Sequence, residues 1–170
     1  MQAITDTKHL TVQTLPPILV LTGEDVGQFE WLKKDILNKI GYDPSDLNYS
    51  YFDMKEASYD EVELDLVSLP FFADEKIVIL DHLLDVTTAK KRNLTDEDLK
   101  QFENYLENPS ESTRLVIFAE GKLDSKRRLV KLLKRDAQII EATTPKEQDL
   151  KRYFASQAQE LGIQFVGDSL

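Results

Sequence analysis

Apolar positions along the chain change their period repeatedly, and each change marks an element. Ile18 to Thr22 is a short run of leucine and β-branched residues between Pro16–Pro17 and Gly23, the pattern of a buried strand. Val26, Phe29, Leu32, Lys33, Ile36, Leu37 and Ile40 then recur at three-to-four spacing, which predicts a helix, with Gly41 placed for a left-handed cap. Leu47 to Asp53 alternates Leu47, Tyr49 and Tyr51 with polar neighbours and predicts a second, more exposed strand. Ser58 and Glu61 are spaced as a capping box ahead of Val62, Leu66 and Val67, a short helix that stops before Pro70.

Lys76 to Asp81 carries Ile77, Val78, Ile79 and Leu80 without interruption and predicts a strand buried on both faces. Thr95 opens a helix with Leu99, Phe102 and Leu106 that Pro109 closes. Leu115 to Ala119 is a fourth strand, a basic helix from Ser125 to Arg135 turns Leu129, Leu132 and Leu133 inward, and Ala137 to Ala142 is a fifth strand. Thr144, Pro145 and Glu147 are a cap, a first-turn proline and a capping-box acid for a last helix running to about Leu161. Five alternations of strand and helix select an α/β fold, a parallel sheet covered by helices. The expected division is a domain over residues 1–143, then residues 144–170 as the first helix of a second, helical unit. That helix has nothing to pack on, so the 170 residues read as a fragment.

Composition agrees: 41% hydrophobic and 31% charged residues are those of a soluble domain, and no stretch has the length and apolarity of a membrane span. The amino-terminal segment has neither a basic start nor an apolar run, so nothing points to export, and a cytoplasmic location is expected. With no cysteine and only His9 and His82, neither a disulfide nor a recognisable metal motif is expected. A net charge of −10 argues against a free-standing nucleic-acid binder. Seven of the 21 Lys and Arg nevertheless fall between Lys122 and Arg135, either a solvated helix face or a local anionic contact.

In open α/β sheets the first strand-to-helix loop is the usual phosphate cradle. Here it is LTGEDVGQFE. A phosphate loop needs G-x-x-x-x-G-K-[ST], and counting from Gly23 the last three key positions hold Gln28, Phe29 and Glu30. Glu24, Asp25 and Glu30 put negative charge where a triphosphate needs positive, although acids also suit a helix start as dipole partners. The reading is a nucleotide-binding architecture without a working nucleotide site, and no cofactor is expected. Asp53 and Asp81 end strands, where a carboxylate holds either a metal ion or a loop; His82 reads as a surface loop residue, and Ser68 has no histidine at a motif spacing.

The segment SLPFFADEK is unusual. Ser68, Leu69, Pro70, Phe71 and Phe72 join a helix to a strand, and the proline breaks regular structure just before two aromatics. Phe71 and Phe72 either fold back into the core or stand on the surface as a plug for a partner's pocket.

The succession PPILVLTGED, SLPFFADEKIVIL, LVIFAEGKLDSKRRLVKLLK and TPKEQDLKRYFASQAQELGI resembles the delta subunit family of bacterial DNA polymerase III, in order and from Leu15 onward. The resemblance implies a RecA/AAA+-like loader ATPase fold that does not bind ATP. It also implies a non-catalytic part in a clamp-loader pentamer, a hydrophobic wedge entering a pocket of the beta sliding clamp, and promotion of ring opening. Carried over by position, the clamp-binding residues are Leu69, Pro70, Phe71 and Phe72, with phenylalanine at both wedge positions and proline before them. The implied partners are the beta sliding clamp, the gamma/tau and delta-prime loader subunits, and primer-template DNA in the assembled complex. The resemblance also implies a carboxyl-terminal collar domain, which these 170 residues are not expected to include. The alternative carried from the residues is an enzyme with a divergent phosphate loop.

Overall fold

A computed structural model describes residues 10–70 and 74–143. Five parallel strands form one sheet: β1 (Ile18–Gly23), β2 (Tyr49–Asp53), β3 (Lys76–Asp81), β4 (Thr113–Glu120) and β5 (Gln138–Ala142), in the spatial order β2-β3-β4-β1-β5. Four helices connect them in turn: α1 (Val26–Lys39), α2 (Tyr59–Val67), α3 (Asp96–Glu107) and α4 (Arg128–Asp136). The α/β class and the five strands read from the hydrophobic pattern are those observed.

Strand order dictates which face each helix covers. The β1-to-β2 crossover runs one way across the sheet, whereas the connections to β3, β4 and β5 run the other way. Right-handed crossovers therefore place α1 on one face and α2, α3 and α4 on the opposite face. The core divides accordingly. Leu19, Leu21, Ile79, Val116 and Phe118 meet Phe29, Leu32 and Ile36 of α1. On the other side Val20, Val78, Leu80 and Ile117 meet Val62 and Leu66 of α2, Phe102 and Leu106 of α3, and Leu129 and Leu133 of α4. β1 and β3, buried at every position, are the unbroken apolar runs that a sheet covered on both faces requires.

Local chemistry sets the ends. α1 stops in a two-bond cap: Gly41, at φ +70°, donates to Asn38 O at 3.1 Å and Tyr42 donates to Leu37 O at 3.0 Å. α3 opens with a complete capping box between Thr95 and Asp98. Several details differ from expectation, among them β4, which runs from Thr113 to Glu120 rather than from Leu115 to Ala119, and β5, which begins at Gln138 rather than Ala137. Leu47 lies outside β2 and is 63% exposed, because Asp43 and Asp46 hold residues 43–48 in turns through bonds to Ser45 and Asn48. Ser58 caps α2 by accepting from the Asp60 N–H, not through a box with Glu61. The basic helix begins at Arg128, since Asp124 accepts from the Lys126 and Arg127 amides and turns the chain there. The helix expected from Thr144 lies outside the described residues. Among the described residues no helix is long and apolar enough to cross a membrane.

Candidate functional site

The carboxyl ends of the strands are where ligands of open α/β sheets sit, at the point where neighbouring connections leave in opposite directions. That point here is between β1 and β4, and it is bridged. Gly23 N–H donates to Gly121 O at 2.8 Å, Gly121 N–H donates back to Gly23 O at 2.7 Å, and the Thr22 hydroxyl donates to Gly121 O at 2.8 Å. Packing and backbone conformation both require glycine at position 23: at φ +124°, a Cβ on it would meet Ala142 backbone atoms at 2.1 to 2.7 Å. The start of α1 is already occupied as well, because the Asp25 carboxylate accepts the Gln28 N–H at 3.0 Å.

Farther along the same edge lies a polar cluster that the sequence did not announce. Asp81, at the end of β3, is 3% exposed, and its carboxylate accepts from Lys33 Nζ at 2.5 Å, from the Tyr51 hydroxyl, and from the His82 N–H at 2.8 Å. Lys33 belongs to the inner stripe of α1, and its ammonium lies 5.7 Å from the Phe118 ring centroid. Burial first, then the bond to Asp81, pushes the Tyr51 hydroxyl well above its usual range. Asp53 pairs with Asp81 in the β2–β3 register, accepts the Lys55 N–H, and lies 2.9 Å from His82 Nδ1. The Lys55 amide, with a smaller contribution from His82, holds the Asp53 carboxyl below the usual carboxylate range. His82, read as a surface loop residue, does lie in the loop after β3, partly exposed at φ +58° and bonded to Asp53. Asp81 is engaged by a lysine, and among the described residues no group of three or more His, Cys, Asp or Glu is arranged to hold a metal ion. The signal available in the sequence was a lysine inside the apolar stripe of one helix and an aspartate closing a fully buried strand.

The amino ends of the strands carry the other candidate. Leu64 and Val67, three apart on the outer face of α2, are 71% and 57% exposed, and Leu69 just beyond is 78% exposed. Pro70 is half-buried; Phe71 and Phe72 lie outside the described residues. Three large apolar groups so exposed and so close in sequence do not serve the core. Beneath them, Lys76 is only 4% exposed; its ammonium bonds the Asp65 carbonyl, lies 2.5 Å from Ser68 Oγ and 3.3 Å from Asp65 Oδ1. A cavity of about 540 Å³ opens at the same edge, lined by Asp46, Asp74, Glu75 and Arg114 among others. Arg114 is spent on Glu75 and on Leu15 O, so the remaining carboxylates make this cavity unsuited to an anion.

The arginines in and just before the basic helix α4 are paired with acids, whereas Lys134 bonds the Ser125 hydroxyl. Arg128 pairs with Glu103 and Glu107 of α3, Arg135 with Glu107 and Asp136, and Arg127 with Asp124.

Residues 19–143 match the family described as DNA polymerase III, delta subunit. The DNA polymerase III subunit delta of Bacillus subtilis is 27% identical over 141 residues, covering 79% of this chain and 40% of that protein. Among solved structures, the Bacillus subtilis DNA clamp loader delta protein superposes with a TM-score of 0.75 at 23% identity, over 93% of this chain and 48% of the other. A DNA polymerase III gamma subunit-related protein from Thermotoga maritima gives 0.52 at 16% identity, over 95% of this chain and 53% of that one. The two delta relatives are thus matched over less than half their length, and the loader-type α/β fold is shared with both solved structures. With the family's pattern running through every strand of the sheet, the chain belongs to the DNA polymerase III delta subunit family.

Proposed function

We propose that this chain is the clamp-docking portion of a clamp-loader delta subunit, which grips the beta sliding clamp through Leu69, Pro70, Phe71 and Phe72 and favours opening of the ring. The observation that carries this reading is the exposure of Leu64, Val67 and Leu69 at the end of α2, immediately before the two phenylalanines. Leucine and phenylalanine presented on a short connection suit an apolar pocket on a partner, and a few such anchors dominate the energy of an interface. Family membership is consistent with a clamp as the partner, since a similar protein is described as a DNA clamp loader delta protein.

In the assembled loader, gamma/tau and delta-prime subunits and primer-template DNA are the further partners. The internal pairing of Arg127, Arg128 and Arg135 argues that α4 adds little to clamp binding. The reading also assigns no ATP turnover to this chain. Supporting it are Gln28, Phe29 and Glu30 where glycine, lysine and hydroxyl are needed, and the Gly23–Gly121 bridge across the crevice. The direct test is binding of the purified chain to an immobilised cognate sliding clamp. Saturable binding that a peptide spanning residues 66–75 competes away is expected; absence of binding at high micromolar concentration would contradict it.

A further inference from the structure

α2 ends without glycine and without a basic residue in its last turn. Its final carbonyls need donors, and the neighbouring strands provide them. Thr113 Oγ1 donates to Leu66 O at 3.1 Å, and the Lys76 ammonium donates to Asp65 O while holding Ser68 Oγ at 2.5 Å. Lys76 is the first residue of β3, so one side chain ties the end of α2 to the strand at the far side of the intervening connection. Its charge is favourable at a helix carboxyl terminus. A buried ammonium is costly unless every donor is met, so its bonds to Asp65 and Ser68 fix geometry tightly.

We infer that Lys76 is a positioning residue for clamp docking: its ammonium locks the last turn of α2 and thereby sets the direction in which Leu64, Val67 and Leu69 face a partner. This rests on the reading that the segment beginning at Leu69 docks the clamp. Ordering an interface element before binding removes a cost that association otherwise bears, so loss of the lock weakens affinity without removing any contact residue.

The test compares clamp affinity, thermal unfolding and amide exchange in four variants of the chain. Lys76→Met keeps the length and apolar stem, and the Asp65 side chain is 26% exposed although its Oδ2 is buried, so the fold is expected to persist with some loss of stability. Affinity should fall roughly ten- to a hundredfold, and exchange should quicken at the Ser68 amide, which donates to Leu64 O. Lys76→Arg should recover most of the affinity. Ser68→Ala, which removes one partner of the ammonium, should give a smaller loss in the same direction, and it decides the matter if Lys76→Met does not fold. Wild-type affinity in folded Lys76→Met, or in Ser68→Ala when that variant must decide, overturns the inference. The fourth variant, Phe71→Ala with Phe72→Ala, separates the two readings. If it loses binding while Lys76→Met does not, only the positioning role falls; if it binds as wild type, the docking reading and the inference fall together.

Discussion

The Lys33 ammonium lies 2.5 Å from the Asp81 carboxylate, joining the middle of α1 to the end of β3. Lys33 is 15% and Asp81 4% exposed at the side chain, so the pair is removed from water. Breaking it from one side leaves a buried charge uncompensated. Lys33→Met should therefore lower stability toward the low end of roughly 3–5 kcal/mol, since Tyr51 and the His82 N–H still bond Asp81. Denaturant unfolding checks this. Adding Asp81→Asn to Lys33→Met should restore much of the loss; additive losses would show that the two residues are not coupled.

The glycines of the first loop should respond in opposite directions. Gly23→Ala forces a Cβ into the Ala142 backbone at a left-handed φ, so the variant should be severely destabilised or fail to fold. At Gly27, in the first turn of α1, a Cβ would meet only Asp25 Oδ1 at 3.7 Å, and Gly27→Ala should stabilise by about 0.4–1 kcal/mol. Thermal unfolding of both variants decides. A tolerant Gly23 would contradict the packing role assigned to it.

Alkaline pH should unfold the protein earlier than surface charge alone predicts. Burial, foremost, pushes the Tyr51 and Tyr59 hydroxyls above their ordinary value of 10.0, with Asp81 adding to the effect at Tyr51. A raised folded-state value means that the stability these residues contribute is complete below about pH 10 and is lost as pH rises toward the folded-state values. The denaturant midpoint should fall through this range while tyrosinate absorbance lags behind that of a model tyrosine. At the acid end the signs reverse. The Asp53 and Glu75 carboxyls are held low, so their contribution is present above about pH 4 and disappears as pH falls further.

ATP with magnesium should give no saturable heat in a calorimetric titration of the chain. Gln28, Phe29 and Glu30 replace the phosphate-binding residues, and the acids Glu24, Asp25 and Glu30 gather at the start of α1. Micromolar binding would contradict the non-nucleotide reading.

Most of the fold was legible because its central strands are buried on both faces: Ile77 to Leu80 and Leu115 to Ala119 are short apolar runs bounded by polar or turn residues. Gly41 and Thr95 announced their caps, since each supplies a backbone conformation or a side-chain acceptor that few residues provide. Leu47 misled because alternation alone does not reveal that Asp43 and Asp46 have already committed the backbone to turns. Of the segment proposed to dock, the exposure of Leu69 follows from the proline break, whereas that of Leu64 and Val67 depends on how α2 is rotated against the sheet. The Lys33–Asp81 pair and the Lys76 lock join residues 48 and 11 apart through side chains, which periodicity does not encode.

If the apolar segment beginning at Leu69 binds the sliding clamp as proposed, clamp affinity of Phe71→Ala with Phe72→Ala, measured beside its thermal unfolding, shows it. Burying one phenylalanine is worth roughly 1.5–3 kcal/mol, so losing both should weaken binding by about two to four powers of ten while the fold stays intact. A well-folded double variant that binds the clamp at wild-type affinity would contradict the account, and one that unfolds would return both phenylalanines to the core, where each truncation costs roughly 3–5 kcal/mol.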